Sequence, residues 1–173
     1  MIETIKRGYE PATERDLFTL ALASLDELTS GLRLSTPRFV CFLAWDVAEV
    51  ADDAIARVAA RLLDAGAVYF VVWGSDCKRA HDIIDDKASQ TGRNRDDAVI
   101  MTSWHAAAPL TEALWEFLHA SLPDQPYSKD CSTGLAISIG MPQSTVEEVA
   151  AALEDSSEWT RRVLDSEADK HAT

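Results

Sequence analysis

Ala67-Val68-Tyr69-Phe70-Val71-Val72-Trp73-Gly74-Ser75-Asp76-Cys77 is the segment whose reading decides the fold. Seven apolar residues, rich in β-branched and aromatic types, run unbroken into Gly-Ser-Asp. That pattern predicts a strand buried on both faces. Ser75 and Asp76 are both helix-capping types, so the segment reads as strand, tight turn and helix start. Two further segments follow the same plan, RFVCFLAWD (residues 38–46) and AVIMTSWH (residues 98–105). Each carries an apolar run into a Trp followed by a polar residue.

Working outward from these strands, the spacing predicts a helix from about Thr13. Leu17, Leu20, Ala21, Ser24, Leu28 and Leu32 form one stripe, and Phe18, Leu22 and Leu25 a second. Two stripes are more than one core contact needs, which points to cover on two sides or to an oligomer. After the first strand, Asp46-Val47-Ala48-Glu49 reads as a capping box opening a helix that Gly66 stops. A more polar helix is expected from about Asp76 to Thr91, followed by the third strand near 98–103. Pro109 opens another helix, with Leu110, Leu114, Phe117 and Leu118 inward. The fourth strand is residues 135–139; Ser144-Thr145-Val146-Glu147 is a second capping box, and a last helical stretch holds Trp159.

Strands alternating with single helices make βαβ units, whose right-handed crossovers put helices on both faces of a sheet. The expectation is an α/β fold: a three-layer α/β/α sandwich around a parallel four-stranded sheet of order 2-1-3-4, with extra N- and C-terminal helices. Residues 1–173 form a single domain, in which 1–12 and 166–173 are expected to be loose.

A net charge of −13 opposes binding to nucleic acid or to an anionic membrane surface. Residues 143–173 carry part of it, with eight acidic and three basic side chains. No apolar run approaches the roughly 20 residues that cross a bilayer, and residues 1–7 lack the apolar stretch of a secretory signal. Three scattered cysteines make no disulfide framework, so a reducing cytoplasm is expected.

The segments AWD (44–46), VWGSDC (72–77) and TSWH (102–105), with residues 114–123 and 135–140, resemble a bacterial domain family of unknown function. The resemblance implies a bacterial cytoplasmic origin and carries no activity with it.

In an open α/β sheet, ligands sit beyond the carboxyl ends of the strands where the strand order reverses. Under order 2-1-3-4 that crevice receives Trp45, Asp46, Trp73, Ser75, Asp76, Cys77, Ser103, Trp104 and His105. Cys77 in a first helical turn could be a nucleophile, His105 its base and Asp46 the orienting acid. Each also has a plainer reading: Asp46, Ser75 and Asp76 as caps, Cys77 as a small buried apolar residue, His105 bonded to a nearby carboxylate. Trp45, Trp73 and Trp104 could stack on a flat ligand, plug the sheet or contact a protein. No metal-ligand spacing, dinucleotide fingerprint, phosphate loop or Gly-x-Ser-x-Gly elbow occurs, and no cofactor is expected. The leading expectation is a non-enzymatic, acidic protein-interaction module that docks on a protein partner or self-associates through apolar surface around Phe18, Leu22, Trp115 and Trp159. The alternatives are a small hydrolase or transferase using Cys77, His105 and Asp46, and a small-molecule pocket between the tryptophans.

Overall fold

The computed structural model describes residues 3–29, 31–32, 34–94 and 97–171. These form one six-stranded sheet with six α-helices. β1 (Ile5–Glu10) and β2 (Arg15–Leu22) make an antiparallel hairpin. Then come β3 (Phe39–Trp45), α1 (Asp52–Ala65), β4 (Ala67–Trp73), α2 (Cys77–Gln90) and β5 (Met101–His105). α3 (Leu110–Trp115) continues into a π turn at Glu116–Ala120, followed by α4 (Gln125–Ser128), β6 (Thr133–Ile139), α5 (Gln143–Glu154) and α6 (Ser156–His171). The spatial order is β1-β2-β6-β3-β4-β5, and every neighbouring pair from β2 to β5 is parallel. Among the described residues no helix is long and apolar enough to cross a membrane.

Alternation along the central strands builds two cores. Phe39, Cys41, Leu43 and Trp45 of β3 face α1 and α2, joined by Phe70 and Val72 of β4 and Ile137 of β6. Val40, Phe42 and Ala44 face the opposite layer, where Leu114, Phe117, Leu153 and Trp159 close over them. Strands that deliver apolar side chains to both layers read as continuous apolar runs, as β3 and β4 do. Gly66 ends α1 in the left-handed conformation at φ 108°, and its N–H bonds the Leu62 and Leu63 carbonyls.

The structure departs from several expectations. The helix expected from Thr13 is instead strand β2 followed by a short turn at Leu25–Thr29. The strand's two faces cut across the expected stripes: Leu17 enters one core, while Leu20 and Leu22 enter the other, with Phe18 packed beside them. Eight residues that must serve both layers do so only with a period of two. β1 occupies much of the stretch 1–12 expected to be loose, and α6 runs to His171.

The four strands expected in order 2-1-3-4 lie instead in order 4-1-2-3, as β6, β3, β4 and β5, within a sheet widened by the hairpin. Composition explains the change. All seven residues of β6 are buried, which suits a place between β2 and β3. The five residues of β5 are all at least partly exposed, which suits an edge. Gly134 permits the packing of β6, because a Cβ there would stand 3.1 Å from Phe117 Cζ and 3.0 Å from Leu17 Cδ2. The strand order therefore reverses between β3 and β6, and the crevice expected between the first and third strands does not form.

The expected capping boxes also differ. α1 starts at Asp52 and α5 at Gln143, neither with a side-chain cap.

Candidate functional site

Strand alternation divides the end of β5 between two layers. Ser103 and His105 turn toward α3 and its π turn; Thr102 and Trp104 turn toward α2. On the α3 side His105 Nε2 lies 2.5 Å from Glu116 Oε2. Glu116 Oε1 accepts hydrogen bonds from Ser103 Oγ at 2.6 Å and Tyr69 OH at 3.1 Å. His105 Nδ1 stands 3.6 Å from Glu112 Oε1. Both ring nitrogens thus face carboxylates.

The electrostatics follow from that geometry. The hydrogen bond to Glu116 raises the His105 pKa, and burial opposes it only in part. Burial alone would raise Glu116, but the bonds from His105, Ser103 and Tyr69 together hold it below the ordinary carboxylate range. Burial, with the adjacent Glu116 charge, pushes the Tyr69 phenol up to about 12. The cluster is a clamp: a partly buried ion pair that fixes the last residue of an edge strand to the first residue of a π turn.

The side chains expected to form a catalytic set are not brought together. Cys77 is fully buried in the core on the α2 side, whereas the His105 ring lies on the α3 side. Burial raises the Cys77 thiol pKa despite the backbone N–H groups of His105, Cys77 and Lys78, which favour thiolate. Asp46 orients neither group. Its Oδ1 accepts from the Ser75 N–H at 2.8 Å, while the Val47 N–H donates to the Ser75 carbonyl at 3.1 Å. Asp76 occupies the left-handed region at φ 56°, and its Oδ2 accepts from Arg79 Nε at 2.6 Å. Arg79 also donates to the Val47 and Val50 carbonyls and pairs with Asp52, so one guanidinium staples the ends of β3 and β4 to α1.

The tryptophans likewise share no rim. Trp45 is buried in the α1–α2 core. Trp73 packs against the other core and donates its Nε1–H to the Ala108 carbonyl at 2.9 Å. Trp104 alone of the three is exposed, at 42%, with the His81 ring 4.4 Å away and Lys78 Nζ 5.6 Å from its centroid. Met101 in β5 and Val99 before it are exposed at 41% and 40%. Of the apolar surface expected around Phe18, Leu22, Trp115 and Trp159, only Trp115 is exposed. Among the described residues no three His, Cys, Asp or Glu side chains are grouped to hold a metal ion.

Sequence reasoning passed over Glu116, Glu112 and Tyr69. The signal was the spacing of Glu112 and Glu116, one helical turn apart just after the His105 strand, which aims both acids at one point. Tyr69 carried no separate signal, since a tyrosine inside an apolar run reads as core.

The family model described as Domain of unknown function (DUF7684) matches residues 18–156, from within β2 to the first residue of α6. No curated protein and no solved structure matches the chain significantly. A match over that share of the sequence means that the chain belongs to the DUF7684 family, a domain of unknown function.

Proposed function

We propose that the chain is a non-enzymatic protein-interaction module whose docking surface is the β5 edge, and that its occupant is an extended, Lys- or Arg-bearing segment of another protein. One observation carries this reading: Met101 and Trp104 stand exposed on opposite faces of β5, a strand that has β4 as its sole strand neighbour among the described residues. An open edge offers backbone hydrogen bonds to an added strand, and alternate side chains then supply specificity. The His105–Glu116 clamp holds that edge rigid, which lowers the ordering cost of docking.

Charge argues for a basic occupant. The chain carries −13, and Glu112 flanks β5 on the α3 side with more than half of its side chain in solvent. Such charge steers cationic segments and repels acidic ones. What favours docking over the nucleophilic alternative is that the Cys77 thiol is buried and both His105 nitrogens already face glutamates.

The test uses two peptides of equal length, one alternating Val with Lys and one alternating Val with Glu, titrated calorimetrically into the full chain. The reading expects saturable binding of the basic peptide alone, weakened by salt and abolished by Met101→Lys or Trp104→Asp. Equal binding of both peptides, or none, overturns it. Sedimentation of the wild-type chain as a dimer that Met101→Lys dissociates also overturns it, because the occupant would then be a second copy.

A further inference from the structure

At the pole of the sheet opposite the β5 carboxyl end, Arg38 opens β3 and Arg93 follows α2. Both line one cavity of about 190 Å³, with Ala67, Val68 and Ile100 from the strand beginnings and Tyr127 from α4. Two guanidiniums around a single cavity are unexpected in a chain with 16 basic and 29 acidic residues.

Their partners leave donors unspent. The Arg38 guanidinium lies 5.4 Å from the Tyr127 ring centroid, and among the described residues no acceptor is hydrogen-bonded to it. Arg93 Nη2 bonds Asp64 at 2.7 Å, while Arg93 Nε is buried without a hydrogen-bond partner. The Tyr127 OH donates to the Arg93 carbonyl at 3.1 Å, so the ring that carries Arg38 is tied to the segment that carries Arg93. An unmet buried donor and a guanidinium stacked on an aromatic face are both relieved by an acceptor with several oxygens. Arg forks suit phosphate because two parallel N–H groups meet two oxygens.

We infer that the Arg38–Arg93–Tyr127 cavity is a binding site for a phosphate-class oxyanion, as the free ion or as the phosphoryl group of a small monoester. Asp64 offsets one of the two positive charges, so the site balances a monoanion without a counter-cation. The volume accommodates one phosphoryl group and a small substituent.

The thermal midpoint of the full chain is followed against inorganic phosphate, and separately against glycerol phosphate, with sodium chloride holding ionic strength constant. The expected result is a saturable rise in the midpoint with either probe. The apparent affinity falls at least about tenfold in Arg38→Met, which keeps the stem over Tyr127 but removes the donors. Arg38→Lys keeps the charge without the fork and should fall between the two. Arg57→Gln, an exposed α1 arginine paired with Asp53, should bind as the wild type does. Tighter binding of the monoester would assign the site to a phosphorylated small molecule, and equal binding to the free ion. No saturable effect, or the same effect in Arg38→Met as in the wild type, overturns the inference.

Discussion

His105 Nε2 and Glu116 Oε2 are 2.5 Å apart on the face of the sheet opposite the Cys77 thiol. The pair predicts a pH profile. His105 has a folded pKa above its ordinary 6.5, so its stabilisation is complete below that value and fades as pH rises through the raised one. Glu116 has a folded pKa below 4.5, so its stabilisation is complete above that value and is lost as pH falls through the lowered one. The contribution is therefore fullest between the two ordinary values. Glu116→Gln should cost about 1–3 kcal/mol there, with the difference from wild type shrinking toward alkaline pH. Urea unfolding at several pH values measures the profile, and the His105 ring titration in NMR should move down in the variant. A constant difference at every pH would mean that the two groups do not titrate as a pair.

Gly74 makes a second prediction. Its φ is +132°, and a Cβ there would stand 2.3 Å from the Trp45 carbonyl oxygen and 3.1 Å from Asp46 Oδ1. Backbone conformation and space both demand glycine, because the β3 and β4 ends are drawn together by the Asp46–Ser75 bond. Gly74→Ala should lose about 1–3 kcal/mol from the φ alone, and more from the contact. Gly92→Ala is the comparison, since its φ is +66° and nothing lies within 4 Å of the added methyl. Equal shifts in the urea midpoint for the two variants would mean that the close approach to Trp45 is not maintained in solution.

The legible parts of this fold were those that composition alone decides. Phe39–Trp45 and Ala67–Trp73 are apolar on both faces and β-branched or aromatic, and Gly66 marks where α1 must stop. The hairpin was hidden because Arg15–Leu22 serves two cores, and a strand with leucines on both faces mimics a wide helical stripe over eight residues. Strand order was hidden because pairing is a competition for central places. Had the polarity of Met101-Thr102-Ser103-Trp104-His105 been weighed against the apolar run of β6, β5 would have gone to the edge. The site was half legible. His105 stood out at a strand end, but its partner is the glutamate eleven residues later on the α3 layer, not a thiol on the other face.

The three cysteines should react slowly. All are buried, and burial raises Cys41 far above the ordinary thiol range, pushes Cys131 up to about 11 and raises Cys77 as well. Iodoacetamide at neutral pH should label none at the rate of a free thiol until urea unfolds the chain, and His105→Ala should leave that slow rate unchanged. Mass spectrometry at timed quenches reads the outcome. Rapid labelling of Cys77 in the native chain, suppressed in His105→Ala, would restore the nucleophilic reading and remove the main argument against it.

The hairpin is anchored by a charge that sits deep in the protein. Arg15 is 2% exposed, and its Nη atoms donate to the Phe117 carbonyl, the Ser121 carbonyl at 2.6 Å and Ser121 Oγ at 3.1 Å. The Ser121 carbonyl lies just past the π turn, where intrahelical donors run out. The buried Glu10, its neighbour in the hairpin register, adds an opposite charge. Arg15→Met fills the same space but strands the Ser121 carbonyl and removes the Arg15 charge from beside the buried Glu10, so it should cost about 3–5 kcal/mol. Arg15→Met combined with Glu10→Leu should recover part of that loss, since removing both charges costs less than stranding one. Urea midpoints of the two single variants and the double variant close the cycle. If the double variant loses the sum of the single losses, the charges do not interact, and the hairpin is held by β1–β2 and β2–β6 pairing alone.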